Sequence, residues 1–449
     1  MAMLPTDLTP KATQKIQTRF RKICSDIPVP ESLDLIKELR KLEPQSMSGM
    51  VPIIWHQAQG FLVRDPYGNQ WIDLSSGIVM ANTGHAHPVI IQSIQEQLDS
   101  PLLFTYAYPS KIRCQFLGRL LKFAPSKLNK ALLFSSGTEA NECAISLMRR
   151  NGLQIEPQKS GIVSLEGNYH GRTLAAKASG GSSTLVDGIS RQELHHFQLP
   201  NPNSLTFDVS LDSAGIDPSC IAGVILESIP GMTTIPHPIE YMKALRTWTN
   251  KHQILLTVDE IQCGIGRTGK MFAFQHYDII PDLITCGKGL SSSLPISAVI
   301  GAEEVMDLAP PGEMSSTFGG NPICAAAAEA NLRILEEDGL IKRASTLEQY
   351  LRQWISPLIK KHHRFIFQAD GRGLFFSLHL RNPQTGQPWV ELADKIALEC
   401  VRQGVLLFLT GRGFIKIVPP LMIDQEAFKE AVDVIINVMD EELAKCTNH

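Results

Sequence analysis

Short apolar runs alternate with amphipathic stretches from about residue 85 onward. The runs, rich in Val, Ile and Leu, are ALLFSSG, GIVSLEG, IAGVILESI, ILLTVDEI, DLITCGKGL and ISAVIGA. Between several of them lie stretches with helical periodicity, such as TEANECAISLMRR and EYMKALRTWTNKHQ. This alternation predicts an α/β fold with a mostly parallel sheet and helices on both faces. Functional side chains are then expected where loops leave the carboxyl ends of the strands.

The two ends of the chain have different patterns. Charged residues and helix formers mix in SLDLIKELRKLEP, and FLVRDPYGNQWIDLSSG predicts a hairpin with its turn at residues 65–69. After the Ala-rich helix CAAAAEANLRILEEDGL, the strands GRGLFFSLHL and FIKIVPPL stand among helices and predict a small α+β lobe. A chain of 449 residues is too long for one ordinary core. We expect an N-terminal segment at 1–85, a large α/β domain at 86–330 and a small C-terminal domain at 331–449.

Composition narrows the class of protein. With 42 Lys and Arg against 45 Asp and Glu, the net charge of −3 offers no footprint for nucleic acid or an anionic membrane. No apolar run approaches the roughly 18 residues of a membrane span, and the first residues contain no signal-peptide core. The nine cysteines are scattered and include no CxxC pair, which is typical of reduced thiols and excludes a zinc-ligand pattern. We therefore expect a cytoplasmic protein without a bound metal.

The segment SSGTEANE follows the first apolar run of the large domain. A strand is expected to end at Phe134 and a helix to begin after it, with Ser136 and Glu139 at capping-box spacing. Such a helix start presents free N–H groups and a positive dipole end, which suit a phosphate. Taken alone, the segment also fits an ordinary capped helix.

A glycine-rich loop follows the strand ILLTVDEI. That strand delivers Asp259 and Glu260 to its carboxyl end, and Gly264, Gly266 and Gly269 then match the dinucleotide pattern GxGxxG. The glycines come after the acidic pair, and KMFAFQHYDIIPD behind them does not resemble a phosphate-facing helix. We interpret the match as coincidental, which leaves an NAD-dependent dehydrogenase as a minor alternative.

A lysine stands between two glycines at the end of another apolar run. In PDLITCGKGL, Lys288 can reach into a site that a bulkier neighbour would block, and no GxxxxGK[ST] frame surrounds it. A helix-start anion site, a strand-end carboxylate and a strand-end lysine in one sheet match the needs of pyridoxal phosphate (PLP). This cofactor requires a phosphate cradle, a carboxylate beside its pyridine nitrogen and an amine for its aldehyde.

Motifs along nearly the whole chain resemble those of the class III (ω-amino acid) aminotransferases. They are DPYGNQWIDLSSGI, NTGHAHP, SSGTEANE, NYHGRT, DEIQCGIGRTG, CGKGL, STFGGNP and VPPL, in the order that this family shows. The resemblance implies the fold type I architecture of PLP-dependent transferases, with a small domain built from both termini. It also implies transamination of an amino acid or amine with an α-keto acid.

The resemblance gives each cofactor contact to one residue. Lys288 corresponds to the Schiff-base lysine that later moves the proton, and Asp259 to the partner of the pyridine nitrogen. Gln262 is expected near the 3-oxygen of the ring, and Tyr169 on the face of the ring. The phosphate and remaining cofactor contacts fall on Ser136, Gly137, Thr138 and His170, with Thr317 supplied by the neighbouring subunit of a homodimer.

Two departures from the family pattern concern the substrate. Glu227 matches a glutamate that closes the site in many relatives, but SIPGMTT follows it instead of the usual PVQGEGG. Lys416 of FIKIVPPL stands where relatives that bind an α-carboxylate usually carry arginine, and lysine lacks the bidentate fork. The substrate carboxylate is thus held by Lys416, held by nearby Arg412, or missing at that place.

Other PLP reactions stay open at this stage. The dialkylglycine decarboxylases are similar over much of the chain, but they carry glutamine and tryptophan where Ile78 and Tyr169 stand here. These two residues favour simple transamination over decarboxylation. Amino-acid racemases share the lysine and the cofactor, so the motifs do not exclude them, and a non-catalytic relative is disfavoured because every cofactor position holds a usable residue.

Overall fold

The chain divides into two compact units. The computed structural model describes residues 7–181, 185–202 and 215–446, so the first six residues of the N-terminal segment lie outside the described residues. One unit combines Met1–His87 with Lys342–His449, and the other is Pro88–Ile341. The domain bounds expected from the sequence, at residues 85 and 330, stay a prediction.

The N-terminal part of the first unit forms most of a six-stranded sheet. Its order is β1-β2-β5-β4-β3, and Val405–Leu406 from the C-terminal part adds to β5 in parallel. Strands β4 and β5 pair antiparallel, which confirms the predicted hairpin, and Oδ1 of Asp65 accepts the amides of Tyr67 and Asn69 across its turn. The elements are β1 (Ile16–Gln17), β2 (Lys22–Ile23), α1 (Leu33–Leu42), β3 (Gln57–Gln59), β4 (Leu62–Arg64) and β5 (Gln70–Asp73).

The second unit contains a seven-stranded sheet. Its order is β10-β7-β11-β12-β13-β14-β6, with four parallel pairings followed by two antiparallel ones at β14 and β6. The elements are α2 (Pro88–Asp99), α3 (Lys111–Phe123), β6 (Lys130–Phe134), α4 (Gly137–Ile155), β7 (Gly161–Leu165), α5 (Leu174–Ala178), β8 (Leu185–Val186), β9 (Ile189–Ser190), β10 (His196–Leu199), β11 (Ile221–Glu227), α6 (Ile239–Lys251), β12 (Leu255–Asp259), β13 (Leu283–Cys286), β14 (Ser297–Gly301), α7 (Glu303–Met306) and α8 (Pro322–Glu337).

Helices cover both faces of this sheet. All seven residues of β11 are buried, and Val224 and Leu226 pack in one apolar cluster with residues of α6. Ile225, which points to the opposite face, packs in a second cluster with residues of α4. A Cβ on Gly223 would lie 2.1 Å from Sδ of Met148, so this glycine lets α4 approach the sheet closely. The predicted mostly parallel sheet between two helical layers is confirmed.

The C-terminal part of the first unit is a small α+β assembly. Its three-stranded antiparallel sheet has the order β15-β16-β18 and contains both strands predicted from the sequence. The elements are α9 (Leu340–Lys361), β15 (Ile366–Arg372), β16 (Phe375–Leu380), α10 (Val390–Arg402), β17 (Val405–Leu406), β18 (Phe414–Ile417) and α11 (Gln425–Cys446).

Short irregular turns complete the chain. Ser76, Gly77, Ile78 and Val79 all have positive φ, between 50° and 69°, and form a left-handed turn after β5. Among the helices of the described ranges, none is both long and apolar enough to cross a bilayer. The 3-10 turns are Pro30–Ser32, Gln45–Met47, Pro218–Cys220, Ala273–His276 and Lys288–Leu290.

Candidate active site

The start of α4 presents unused amide groups. Ser136 is the N-cap: its Oγ accepts from the amide of Glu139, and Oε2 of Glu139 accepts from the amide of Ser136 at 2.7 Å. The predicted capping box is therefore present. The amides of Gly137 and Thr138 find no acceptor within the described part of the chain, so two donors remain at the positive end of a 19-residue helix. This helix start can hold a phosphate group.

The loop that carries Tyr169 and His170 packs directly on this helix start. Oγ1 of Thr138 lies 2.6 Å from Oγ1 of Thr173. Gly171 has a φ of 141°, and a Cβ there would lie only 2.1 Å from Oγ1 of Thr138. A side chain at position 171 would therefore push the loop away from the helix, which explains why glycine follows Tyr169 and His170.

Asp259 is buried at the end of β12 and receives three hydrogen bonds. Its Oδ1 accepts from the amide of Ile261 at 2.9 Å. Its Oδ2 accepts from Nδ2 of Asn141 at 2.7 Å and from Nδ1 of His170 at 2.8 Å. Three N–H donors with no competing acceptor suit a carboxylate anion. The opposite nitrogen of His170, Nε2, is buried without a hydrogen-bond partner in the described residues.

Lys288 follows β13, the parallel neighbour of β12. Its φ is 42°, an uncommon conformation for a residue with a side chain, and such strain often marks functional positions. Burial lowers the pKa of Lys288, while the negative charges of Asp259 and Glu227 oppose this shift. No hydrogen bond from Nζ is found in the part of the chain that the structure describes. The residue therefore offers an amine that is more often unprotonated than an exposed lysine.

Glu227 accepts hydrogen bonds from three different segments of the site. Its Oε2 accepts from the amide of Tyr169, and its Oε1 from the amide of Gly231, each at 2.8 Å. Nε2 of Gln262 donates to the same Oε1 at 3.4 Å. Burial, and then the charge of Asp259, raise the pKa of Glu227. These contacts hold the backbone of Tyr169 and Gly231 and the side chain of Gln262 in place, and the substrate-side role expected for Glu227 stays a prediction.

The other four residues expected at the site lie outside the group around Lys288 described so far. Thr317 is exposed in the loop before α8, in the same unit as Lys288, and it lines a cavity of about 470 Å³ with Phe104, Thr105, Tyr106 and Tyr108. Ile78, Arg412 and Lys416 belong to the other unit. Ile78 is exposed on the left-handed turn, Arg412 is exposed before β18, and Lys416 is buried on β18. The structure thus brings together the residues expected around Lys288, from Ser136 to Gln262, in one unit.

Two polar residues of the site were not singled out from the sequence. Asn141 is completely buried and contacts Asp259. The sequence feature that could have indicated Asn141 is its polar side chain on a face of α4 that otherwise carries Ala140, Ala144 and Ile145. Glu260 was noted only as the neighbour of Asp259. It accepts from the amides of Ala273 and Phe274 and from the hydroxyl of Ser228, which fixes the loop after β12.

The glycine-rich loop does not form a dinucleotide site. Gly264, Gly266 and Gly269 lie in consecutive turns, and the next regular element is the 3-10 turn Ala273–His276 instead of a phosphate-facing helix. Within the described ranges, no group of three or more His, Cys, Asp or Glu side chains is placed to hold a metal ion.

Comparisons with known proteins agree on one family. The family model of aminotransferase class III matches residues 45–439. An ornithine aminotransferase of Staphylococcus epidermidis is 34% identical over 400 residues, which are 86% of this chain and 94% of that protein. Ornithine aminotransferase 2 of Staphylococcus aureus is 33% identical over the same shares of both chains.

Solved structures show the same fold. The crystal structure of the ornithine aminotransferase from Toxoplasma gondii superimposes with a TM-score of 0.81 at 28% identity, covering 91% of this chain and 95% of that one. A transaminase from Virgibacillus also reaches a TM-score of 0.81, at 23% identity, over 92% of this chain and the whole of its own. The second likeness supports the fold alone, and the fold type I architecture expected from the sequence is confirmed.

Proposed function

Because this chain belongs to the class III aminotransferase family and is a PLP-dependent aminotransferase, we propose that Lys288 is the lysine that binds the cofactor aldehyde. The observation that carries the proposal is the arrangement at the ends of two parallel strands. Asp259 ends β12, Lys288 follows β13, and the free amides of Gly137 and Thr138 belong to the same unit. These are the three groups that PLP requires.

The residues of this unit fit the cofactor in charge and in hydrogen-bonding capacity. The amides of Gly137 and Thr138, next to the hydroxyl of Ser136, would hold its phosphate group. Tyr169 would cover one face of its ring. When bound, PLP supplies an aldehyde that combines with amines and a protonated ring that withdraws electrons from the substrate carbon. The three N–H groups that donate to Asp259 suit a carboxylate partner for that ring.

Lys288 has two tasks in the proposed reaction. Its burial-lowered pKa leaves more of the amine unprotonated and able to bind the aldehyde. Once the substrate amine has replaced it at the aldehyde carbon, Nζ would take the proton from the substrate carbon and deliver it to that aldehyde carbon instead of returning it to the substrate. General acid–base work of this kind contributes a factor of about 10² to 10⁴ in rate.

Glu227 and Gln262 keep the rest of the site in shape. Glu227 holds the backbone of Tyr169 and the side-chain amide of Gln262, which is proposed to reach the 3-oxygen of the ring. Nδ1 of His170 donates a hydrogen bond to Oδ2 of Asp259 and so helps to fix the orientation of its carboxyl group. These residues position the groups that contact the cofactor.

We propose an ω-amino acid or amine as the amino donor and an α-keto acid as the acceptor. The ornithine aminotransferases among the relatives support an ω-amino donor. Nζ of Lys416 lies 4.7 Å from the ring centre of Phe375 and 5.6 Å from that of Phe408, so two aromatic faces hold its positive charge in place. Lys416 is proposed to bind a substrate carboxylate as a point charge, with Arg412 as the second candidate and Ile78 beside the donor.

We propose a homodimer in which Thr317 contacts the cofactor phosphate of the partner subunit. Thr317 stands in an exposed apolar patch that includes Phe104, Tyr108 and Phe318, whose exposed fractions are 48, 76 and 63%. Patches of this kind on a folded surface are typical of protein interfaces. Nine unbonded cysteines support the cytoplasmic location that we also propose.

The test of this function is a donor screen on the PLP-loaded protein without keto acid. Ornithine, other ω-amino acids, α-amino acids and simple amines are compared by the change in the visible absorbance of the bound cofactor. We expect ω-amino donors to convert it, and added α-keto acid to restore it. Carbon dioxide release or loss of substrate chirality without amino transfer would contradict the proposal and favour a decarboxylase or a racemase.

A further inference from the structure

Asn141 lies where the main elements of the site meet. Its side chain is completely buried on the second turn of α4. Nδ2 donates to the carbonyl oxygen of His170 at 2.6 Å and to Oδ2 of Asp259 at 2.7 Å. Oδ1 accepts from the hydroxyl of Thr285 at 2.7 Å. Both amide protons and the amide oxygen are therefore used, and the orientation of the amide follows because its nitrogen faces two acceptors.

These contacts link every part of the proposed cofactor site within this unit. The helix of Asn141 begins with the phosphate-binding amides, and Thr285 lies on β13 three residues before Lys288. His170 belongs to the loop that carries Tyr169. One neutral side chain thus connects the phosphate cradle, the ring carboxylate, the ring-stacking loop and the strand of the lysine.

We infer that Asn141 is a positioning residue that holds the carboxylate of Asp259 in place for the pyridine nitrogen of the cofactor. The inference rests on the proposed function, because Asp259 has this task only if PLP binds at Lys288. An amide donates a hydrogen bond without a positive charge of its own, so it supports the carboxylate and leaves its charge for the protonated ring. Within the described ranges, Oδ1 of Asp259 accepts only from the amide of Ile261, so it keeps a further acceptor position.

The titratable groups around Asp259 come from three other elements. His170 follows β7, Glu227 ends β11 and Lys288 follows β13. Asn141 is the neutral contact, from α4. Replacing it by the nearly isosteric aspartate would put a second carboxyl group against Oδ2 of Asp259. Two carboxylates at hydrogen-bond distance cannot both ionise easily, so they share a proton and the charge of Asp259 is reduced until that proton leaves.

The experiment measures PLP binding to the full-length protein after removal of the cofactor. Asn141→Ala, Asn141→Asp and Asp259→Asn are titrated with PLP by tryptophan fluorescence, and the visible absorbance of each loaded protein is recorded against pH. Thermal unfolding of each cofactor-free protein checks the fold.

Asn69 provides a matched control in the other unit. Its Nδ2 donates to Oδ2 of Asp65 at 2.7 Å and to the hydroxyl of Ser25, and its Oδ1 accepts the amide of Cys24. As in Asn141, the amide nitrogen donates two hydrogen bonds, one of them to an aspartate, and the amide oxygen accepts. Asn69→Ala should therefore lower the unfolding temperature without a change in PLP affinity or in the pH profile.

The expected result is selective for the site. Asn141→Ala should bind PLP roughly tenfold to a hundredfold more weakly, the loss expected for one hydrogen bond to a charged group. Asn141→Asp should bind weakly at low pH and recover as pH rises and the shared proton leaves. Thr285→Val, which removes only one hydroxyl, should change affinity in the same direction by a smaller factor.

Four outcomes separate the claims. Wild-type affinity and pH profile in the Asn141 variants would overturn the inference, as would equal effects of Asn141→Ala and Asn69→Ala. If Asn141→Ala does not fold, unchanged binding in both Asn141→Asp and Thr285→Val would overturn it as well. Wild-type binding and absorbance in Asp259→Asn would instead contradict the proposed function of Asp259.

Discussion

Glu227 and Asp259 are direct partners in the parallel pairing of β11 and β12, so two buried carboxyl groups stand side by side at the strand ends. Each has its own donors: the amide of Ile261 and the side chains of Asn141 and His170 for Asp259, and chiefly two backbone amides for Glu227. In the proposed site, Asp259 serves the cofactor, and Glu227 holds the surrounding loops.

The raised pKa of Glu227 predicts a pH dependence of stability. In the unfolded chain this carboxyl group loses its proton near 4.5, whereas burial keeps the proton on it to higher pH in the folded protein. The folded state then binds more protons in this window, so the free energy of unfolding falls as pH rises above 4.5. Glu260, whose pKa burial raises to about 7, acts in the same direction.

Glu227→Gln should make the fall of the unfolding free energy with pH less steep. The reduction is up to ~1.4 kcal/mol per pH unit, which corresponds to one bound proton. Urea unfolding of the cofactor-free protein between about pH 5 and pH 7 measures it. The exposed Glu240→Gln should leave the slope as it is. An unchanged slope in Glu227→Gln would mean that Glu227 is already ionised at the acidic end of this range.

Glu260→Ala is expected to destabilise the fold strongly. The substitution leaves the amides of Ala273 and Phe274 and the hydroxyl of Ser228 without their acceptor in a fully buried place. Removing one partner of such a buried network costs about 3–5 kcal/mol. Chemical unfolding checks this, with Glu240→Ala as an exposed control that should cost less than about 1 kcal/mol. A loss below ~1 kcal/mol for Glu260→Ala would refute the proposed anchoring of the loop.

Gly231→Ala should impair the site while sparing the fold. A Cβ at this position would lie within 2.3–2.5 Å of the side-chain amide of Gln262, which is mobile enough to move away and lose its contact with Glu227. We expect weaker PLP binding by roughly tenfold and an unfolding temperature within about 4 °C of wild type.

Two controls accompany Gly231→Ala. Gly118, in α3, has open space around it, so Gly118→Ala should leave PLP binding unchanged and raise stability by up to ~1 kcal/mol. In a Gln262→Ala background, Gly231→Ala should cause no further loss of affinity. A full additional loss there would show that Gly231 acts through another residue.

The proposed homodimer, with Thr317 serving the partner subunit, predicts complementation between two inactive variants. Mixed dimers of Lys288→Ala and Thr317→Ala would contain one site with both residues intact only if Thr317 serves the partner subunit. Random exchange of subunits makes half of the dimers contain one subunit of each variant, and each of these has one intact site out of two. Activity should therefore return to about a quarter of wild type. No gain over the separate variants, despite subunit exchange shown by mass spectrometry, would place Thr317 in its own subunit's site or outside any site.

Local sequence patterns gave the elements of the site but not their connections. The capping box of Ser136 and the strand-end positions of Asp259 and Lys288 follow from short segments, and the structure has each where it was expected. The contacts of Asn141 and Glu260 join segments more than ten residues apart, and no local period encodes them. Adjacent residues of a strand also point to opposite faces, which separates Glu260 from Asp259.

The direction of the strands was the other feature that local sequence patterns could not predict. The apolar runs that became β6 and β14 look like those of the parallel strands, yet both pair antiparallel at the edge of the sheet. Burial on both faces selects apolar residues for either direction. The left-handed turn at Ser76–Val79 was likewise not expected, because Ile78 and Val79 are β-branched and disfavour positive φ.

The proposed function requires that PLP binds covalently to Lys288. Borohydride reduction of the loaded protein, followed by peptide mass mapping, tests it most directly, with Lys288→Ala and the exposed Lys270→Ala treated in parallel. We expect one pyridoxyl adduct, on the peptide containing Lys288, which disappears in Lys288→Ala and persists in Lys270→Ala. An adduct on another lysine of the wild-type protein, with Lys288 unmodified, would contradict the assignment of Lys288.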